Sequence, residues 1–119
     1  MLITRRTDAL EELMVVGLAG DFDLSAVARV RSAFHDVVKD GWTSVAVDLG
    51  EVTFLDSAGL GVLIGLHRRC RMNEGICVLL DPQPEVTRLL ETSGLDALLQ
   101  TAKNLDDARD LTQKAGLGR

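Results

Sequence analysis

A chain of 119 residues with a formal net charge of −5 has room for one hydrophobic core and little beyond it. Two His, two Cys, one Trp and no Tyr exclude a disulfide framework, a Cys/His zinc cluster and an aromatic base-stacking platform. The acidic balance opposes direct nucleic-acid binding, which needs clustered positive charge.

In chain order, Leu2 to Arg6 reads as a weak strand. The apolar run Leu13 to Ala19 reads as a stronger one ended by Gly20, and Asp8 to Glu12 supplies the turn of an opening hairpin. Ser25 is placed to cap a helix in which Val27, Val30, Ala33, Phe34, Val37 and Val38 recur at three- and four-residue steps, closed by Gly41. Val45 to Leu49 is a short buried strand. Ser57 to Asn73 is helical, with Leu60, Leu63, Ile64, His67 and Cys70 on one stripe and Gly75 as its stop. Ile76 to Leu80 is another strand. Residues 81–84 form a loop, and Pro84 suits the start of a short helix over Glu85 to Thr92, stopped by Gly94. Ala97 to Thr101 is a last strand. Leu105 to Lys114 is a last helix, with Gly116 and Gly118 fraying the tail.

The order β-β-α-β-α-β-α-β-α predicts an α/β fold with right-handed crossovers. Its sheet is mixed and mainly parallel, with four to five strands backed by about four helices. The expected organisation is one domain over residues 1–119, with a core from about 10 to 110. The longest run free of charged or polar side chains is Ala58 to Leu66, half of the ~18 residues a membrane span needs. With no apolar signal region at Met1 to Arg5, the expectation is a cytoplasmic protein without membrane insertion. Cys70 and Cys77 match no metal spacing and read as small buried hydrophobes. Arg5–Arg6 and Arg68–Arg69 with Arg71 read as solvated rims.

The informative junction is Asp56-Ser57-Ala58-Gly59-Leu60-Gly61. Ser57 sits where an N-cap belongs, ahead of free backbone N–H groups and at the positive end of a helix dipole. Such a terminus receives a phosphate well, although most serines there only cap. Gly59, Gly61 and Gly65 are poor helix formers, costing ~1 kcal/mol each relative to Ala. They imply close approach by the sheet beneath or a partner above. Gly59 to Gly65 nearly copies a dinucleotide fingerprint, but the third glycine belongs at the place of Ile64 and the segment lies mid-chain, which rejects a nucleotide enzyme. Hydrolysis is rejected too: His67 lies about 15 Å along the same helix from Ser57, and His35 belongs to another. Both read as helix-surface or satisfied core residues. No catalytic or metal-ligating set is assigned, and no cofactor.

Asp21 and Asp23 follow the second strand and Asp56 precedes the second helix, so all three share the carboxyl-end rim where ligands of open α/β sheets bind. They serve either loop solvation or a shared site with Ser57. A third use is Mg²⁺ binding in a phospho-aspartate receiver, in which Asp48 and Lys103 would mimic two further residues.

The stretch Asp56-Ser57-Ala58-Gly59-Leu60-Gly61-Val62-Leu63 resembles the D-S-[ST]-G-L-G-V-L signature of anti-sigma-factor antagonists, the stand-alone members of the STAS domain family. Gly20-Asp21-Phe22-Asp23 is similar to the family's G-E-[LI]-D element, and Ser93-Gly94-Leu95 to the S-G-L after its third helix. The resemblance implies that Ser57 is a phospho-acceptor. It implies contacts to a partner at Asp21, Asp23, Ser25, Asp56, Ala58, Gly59, Leu60 and Gly61. The implied partners are a serine-kinase anti-sigma factor of the histidine-kinase-like ATPase fold, which would hold the ATP, and a PP2C-type phosphatase. Ala58 departs from the usual Ser or Thr and removes a second acceptor. Alternatives on the same sequence are a STAS-like subunit of a membrane-transport or lipid-transport complex, or the receiver domain.

Overall fold

The computed structural model describes residues 1–10 and 12–117. Its elements are β1 (Leu2–Thr7), β2 (Met14–Phe22), α1 (Val27–Lys39), β3 (Val45–Leu55), α2 (Ser57–Met72), β4 (Cys77–Leu80), α3 (Pro84–Ser93), β5 (Gln100–Ala102) and α4 (Leu105–Leu117). Single 3-10 turns occupy Leu24–Ala26 and Leu95–Ala97. The predicted order of strands and helices holds. The last strand is displaced: Ala97 closes a 3-10 turn, and pairing begins only at Gln100. Gly20 does not end β2, which continues through Asp21 to Phe22 with Gly20 at φ 106°. Gly116, expected in a frayed tail, falls within α4, whereas Gly118, like Glu11 of the expected turn, lies outside the described residues.

The five strands lie in the sheet in sequential order, with β1 antiparallel to β2 and every other pair parallel. Stepping one strand at a time in a single direction by right-handed crossovers puts successive helices on one face. Accordingly Phe34 of α1, Leu63 of α2 and Leu90 of α3 share a core with Met14, Val16, Val47 and Leu79. The opposite face is covered by α4, where Ala108 packs with Val15, Ala46 and Val78. A receiver-type doubly wound sheet has strand order 2-1-3-4-5. The sequential order and the antiparallel β1 found here exclude that reading. Asp48 also sits in mid-strand, accepting the Gly50 N–H at 3.0 Å, instead of at a strand end.

β3 is far longer than the predicted Val45 to Leu49. Its pairing with β2 skips a residue twice, so Ala19 faces Glu51 and Asp21 faces Phe54. Each skip is a bulge that inserts one extra residue into β3 and turns the strand on its axis. As a result Leu49, Val52 and Leu55, three residues apart, all point into the same core.

A second anchor lies under the hairpin. The side chain of Asp8 is fully buried and accepts the backbone N–H groups of Glu12 at 2.8 Å and Leu13 at 3.0 Å. Arg109 of α4 reaches it at 3.5 Å. Burial pushes the Asp8 carboxyl up, but the bonds from Leu13, Glu12 and Arg109 outweigh it and hold the group below its ordinary value.

Candidate functional site: a free hydroxyl at the start of the second helix

The parallel pairing of β2 with β3 runs to Phe22 opposite Leu55, which brings the next residues of both strands to one edge. The Asp56 N–H reaches the Phe22 carbonyl at 3.4 Å, so the β2 and β3 exits are tied side by side. Each exit is capped by an aspartate in extended conformation. Asp23 accepts the Ser25 backbone N–H at 3.0 Å and the Ser25 hydroxyl at 2.5 Å. The Ser25 hydroxyl bond is the main reason that the Asp23 carboxyl sits below its ordinary value. Asp56 accepts the Gly59 N–H at 3.0 Å and is the N-cap of α2. The rim also holds Asp21, which accepts the Thr53 hydroxyl at 3.0 Å.

Two assignments from sequence are thereby corrected. Ser25 does not cap; it lies inside the 3-10 turn that Asp23 caps. Ser57 is not the N-cap either. It is the first residue of α2, and Asp56 has taken the capping position. Both residue types cap well, so composition cannot decide between neighbours. The backbone decides: Asp56 is extended at φ −105° and ψ −175°, and Ser57 is already helical.

The exchange frees the hydroxyl. Ser57 is exposed, and its Oγ makes no hydrogen bond among the described residues. It sits beside the first N–H groups of a sixteen-residue helix, in the positive field of the helix terminus. Ala58 is partly buried, whereas Gly59 and Leu60 are buried and turned toward the core. A Cβ on Gly59 would lie 2.7 Å from the Phe22 carbonyl oxygen and 2.6 Å from Leu55 Cδ1, so that glycine answers to the sheet beneath. Gly61 is exposed, and a Cβ at Gly61 or Gly65 would meet nothing within 4 Å. The three glycines thus divide: one serves internal packing and two do not.

The remaining candidates play no part at this edge. His35 is exposed on α1, with its Nδ1 3.2 Å from Arg69. His67, expected as a helix-surface or satisfied core residue, is half-buried on α2, and its buried Nδ1 has no hydrogen-bond partner among the described residues. Burial, then Arg71 and Arg68, push its pKa down. Cys70 and Cys77 are buried free thiols, with burial raising Cys70 to about 11 and Cys77 well above its ordinary value. Among the described residues no cluster of three or more His, Cys, Asp or Glu is placed to hold a metal. No helix among them is long and apolar enough to cross a membrane.

This geometry agrees with what sequence comparison finds. The profile of the STAS domain matches residues 4–108. The chain belongs to the STAS domain family. An anti-sigma-B factor antagonist of Listeria monocytogenes is 31% identical over 103 residues, covering 86% of this chain and 85% of that protein. An anti-sigma F factor antagonist of Lysinibacillus sphaericus is 29% identical over 92 residues, covering 76% and 79%. Among solved structures, a Thermotoga maritima protein superposes with a TM-score of 0.85 at 16% identity over 93% of this STAS chain and 94% of its own. The Bacillus cell fate determinant SpoIIAA in its phosphorylated form superposes with a TM-score of 0.71 at 23% identity over 92% and 99%. Both confirm the STAS fold.

Proposed function

We propose that this STAS domain is an anti-sigma factor antagonist switched by phosphorylation of Ser57. The unphosphorylated chain binds a serine-kinase anti-sigma factor and so frees a sigma factor. The kinase, loaded with ATP, transfers the γ-phosphoryl group to Ser57 Oγ: the bond from the γ-phosphorus to the β–γ bridging oxygen breaks, ADP leaves, and the hydroxyl proton is released. A PP2C-type phosphatase restores the hydroxyl by hydrolysis. The chain is the substrate in this cycle, working in the cytoplasm with its partners, and the ATP is held by the kinase.

The observation that carries the reading is the exposed, unengaged Ser57 hydroxyl beside the Asp56 cap. Phosphorylation adds −1.5 to −2 charges to a rim that already holds Asp21, Asp23 and Asp56. The helix terminus stabilises that phosphate by only ~0.3–1 kcal/mol at an exposed site. Like charges brought into an interface cost several kcal/mol, or roughly a hundredfold in affinity. The interface effect dominates, so phosphorylation blocks docking without refolding the domain.

The test is incubation with ATP and each serine-kinase anti-sigma factor of the source organism, read by phosphopeptide mass spectrometry. Phosphate on Ser57 is expected. Ser57→Asp is expected to bind the kinase about a hundredfold more weakly than Ser57→Ala, with matching circular dichroism. No phosphate at Ser57, or equal affinities for the two variants, rejects the reading.

A further inference from the structure

The outer seam between α1 and α2 extends beyond Ser57 and meets the contacts implied for the switch only at Gly61. A cleft of about 210 Å³ opens there, lined by Arg31 and Phe34 of α1 and by Gly61, Gly65, Leu66 and Arg69 of α2. Its floor is apolar, since Phe34 and Leu66 are buried in the core. Its two rims are cationic. Neither Arg31 nor Arg69 has a carboxylate partner among the described residues, and Arg69 rests only against the ring of His35. No acid occurs anywhere in α2. What sets the seam apart is that two such guanidinium groups, one from each helix, flank the same apolar cleft.

Ser57, Gly61 and Gly65 follow one another at four-residue steps, so they lie on one face of α2 and the cleft begins a turn beyond the hydroxyl. We propose that the cleft receives an acidic segment of the same kinase partner, a carboxylate entering between Arg31 and Arg69 while the partner's backbone passes close over the glycines. This rests on the Ser57 reading. Guanidinium groups suit the occupant because they bind carboxylate through paired, charge-assisted hydrogen bonds. The missing Cβ atoms suit it because they let another backbone approach closely.

Titration calorimetry with the purified kinase and ADP tests the cleft, comparing the unphosphorylated chain with a double variant, Arg31→Glu and Arg69→Glu, and with Gly65→Leu. Each is expected to bind at least tenfold more weakly. The charge-reversed variant is also expected to lose the salt dependence of the parent. Open space at Gly65, the exposed position of Arg31 and the partly exposed one of Arg69 keep both variants folded, which their thermal transitions check. Affinities within twofold of the parent, alongside a strong Ser57→Asp effect, overturn the cleft and leave the switch standing. Absence of kinase binding by the parent chain overturns both.

Discussion

The Asp56 carboxylate accepts the Gly59 N–H at 3.0 Å, and by doing so it releases Ser57 from any structural duty. A hydroxyl that caps a helix must give up that bond before it can be modified. Here capping falls to Asp56, which leaves the Ser57 hydroxyl open to the modification proposed above. Asp56→Ala is expected to destabilise the domain by about 1 kcal/mol, the usual loss for a capping Asp. In thermal unfolding that is a drop of roughly 3–6 °C. Ser57→Ala is expected to change stability by less than about 0.5 kcal/mol, as for a surface position without a special contact. The reverse ranking would return the cap to Ser57.

The glycines of α2 give a second prediction. At Gly59 an added methyl group presses on the Phe22 carbonyl, a backbone atom that cannot yield cheaply. Gly59→Ala is expected to cost about 1–3 kcal/mol, as overpacking generally does. Gly61→Ala and Gly65→Ala place their methyl groups in open space and remove a poor helix former. Each is expected to stabilise the isolated domain by up to ~1 kcal/mol. Denaturant melts of the three single variants decide the matter, and a destabilised Gly61→Ala would contradict it.

The buried Asp8 makes stability depend on pH. Its carboxyl lies below its ordinary value when folded, so its contribution is present above the unfolded pKa near ~3.9. That contribution is lost as pH falls through the folded value. Asp8→Asn keeps the shape and an acceptor oxygen but removes the charge that Arg109 and the two N–H groups favour. The variant is expected to be less stable than the parent at neutral pH, with the gap closing as pH falls from about 5 toward 2. A gap constant across that range would show that the charge of Asp8 contributes nothing.

Much of the fold was legible because period and punctuation agree over most of the chain. The apolar steps of α1, the run of β2 and the Gly94 stop after α3, observed at φ 77°, each obey a local rule. Long-range features broke those rules. The two bulges of β3 replace the alternation of a strand by steps of three, so a pattern search loses the strand after Leu49 although it runs to Leu55. Asp8 looked like turn chemistry, because nothing near it in sequence announces a partner 101 residues away. At the site, the junction and the hydroxyl were legible, while the roles of Asp56 and Ser57 differed by one position that only the backbone angles set.

The length of β3 has a consequence for access. Its pairing with β4 stops at Asp48 opposite Leu80, while its pairing with β2 continues to Leu55. β1 accompanies β2 as far as Ala19, which faces Glu51, so over the last four residues of β3, Val52 to Leu55, roughly 13 Å of strand at 3.3 Å per residue, only β2 and β3 travel together. Ser57 therefore stands at the end of a short two-stranded extension of the sheet. The start of α3 lies along one flank of that projection, where Glu85, Val86 and Leu89 face Thr53, Phe54 and Leu55, so an approaching partner reaches the serine from the end of the pair instead of from that flank.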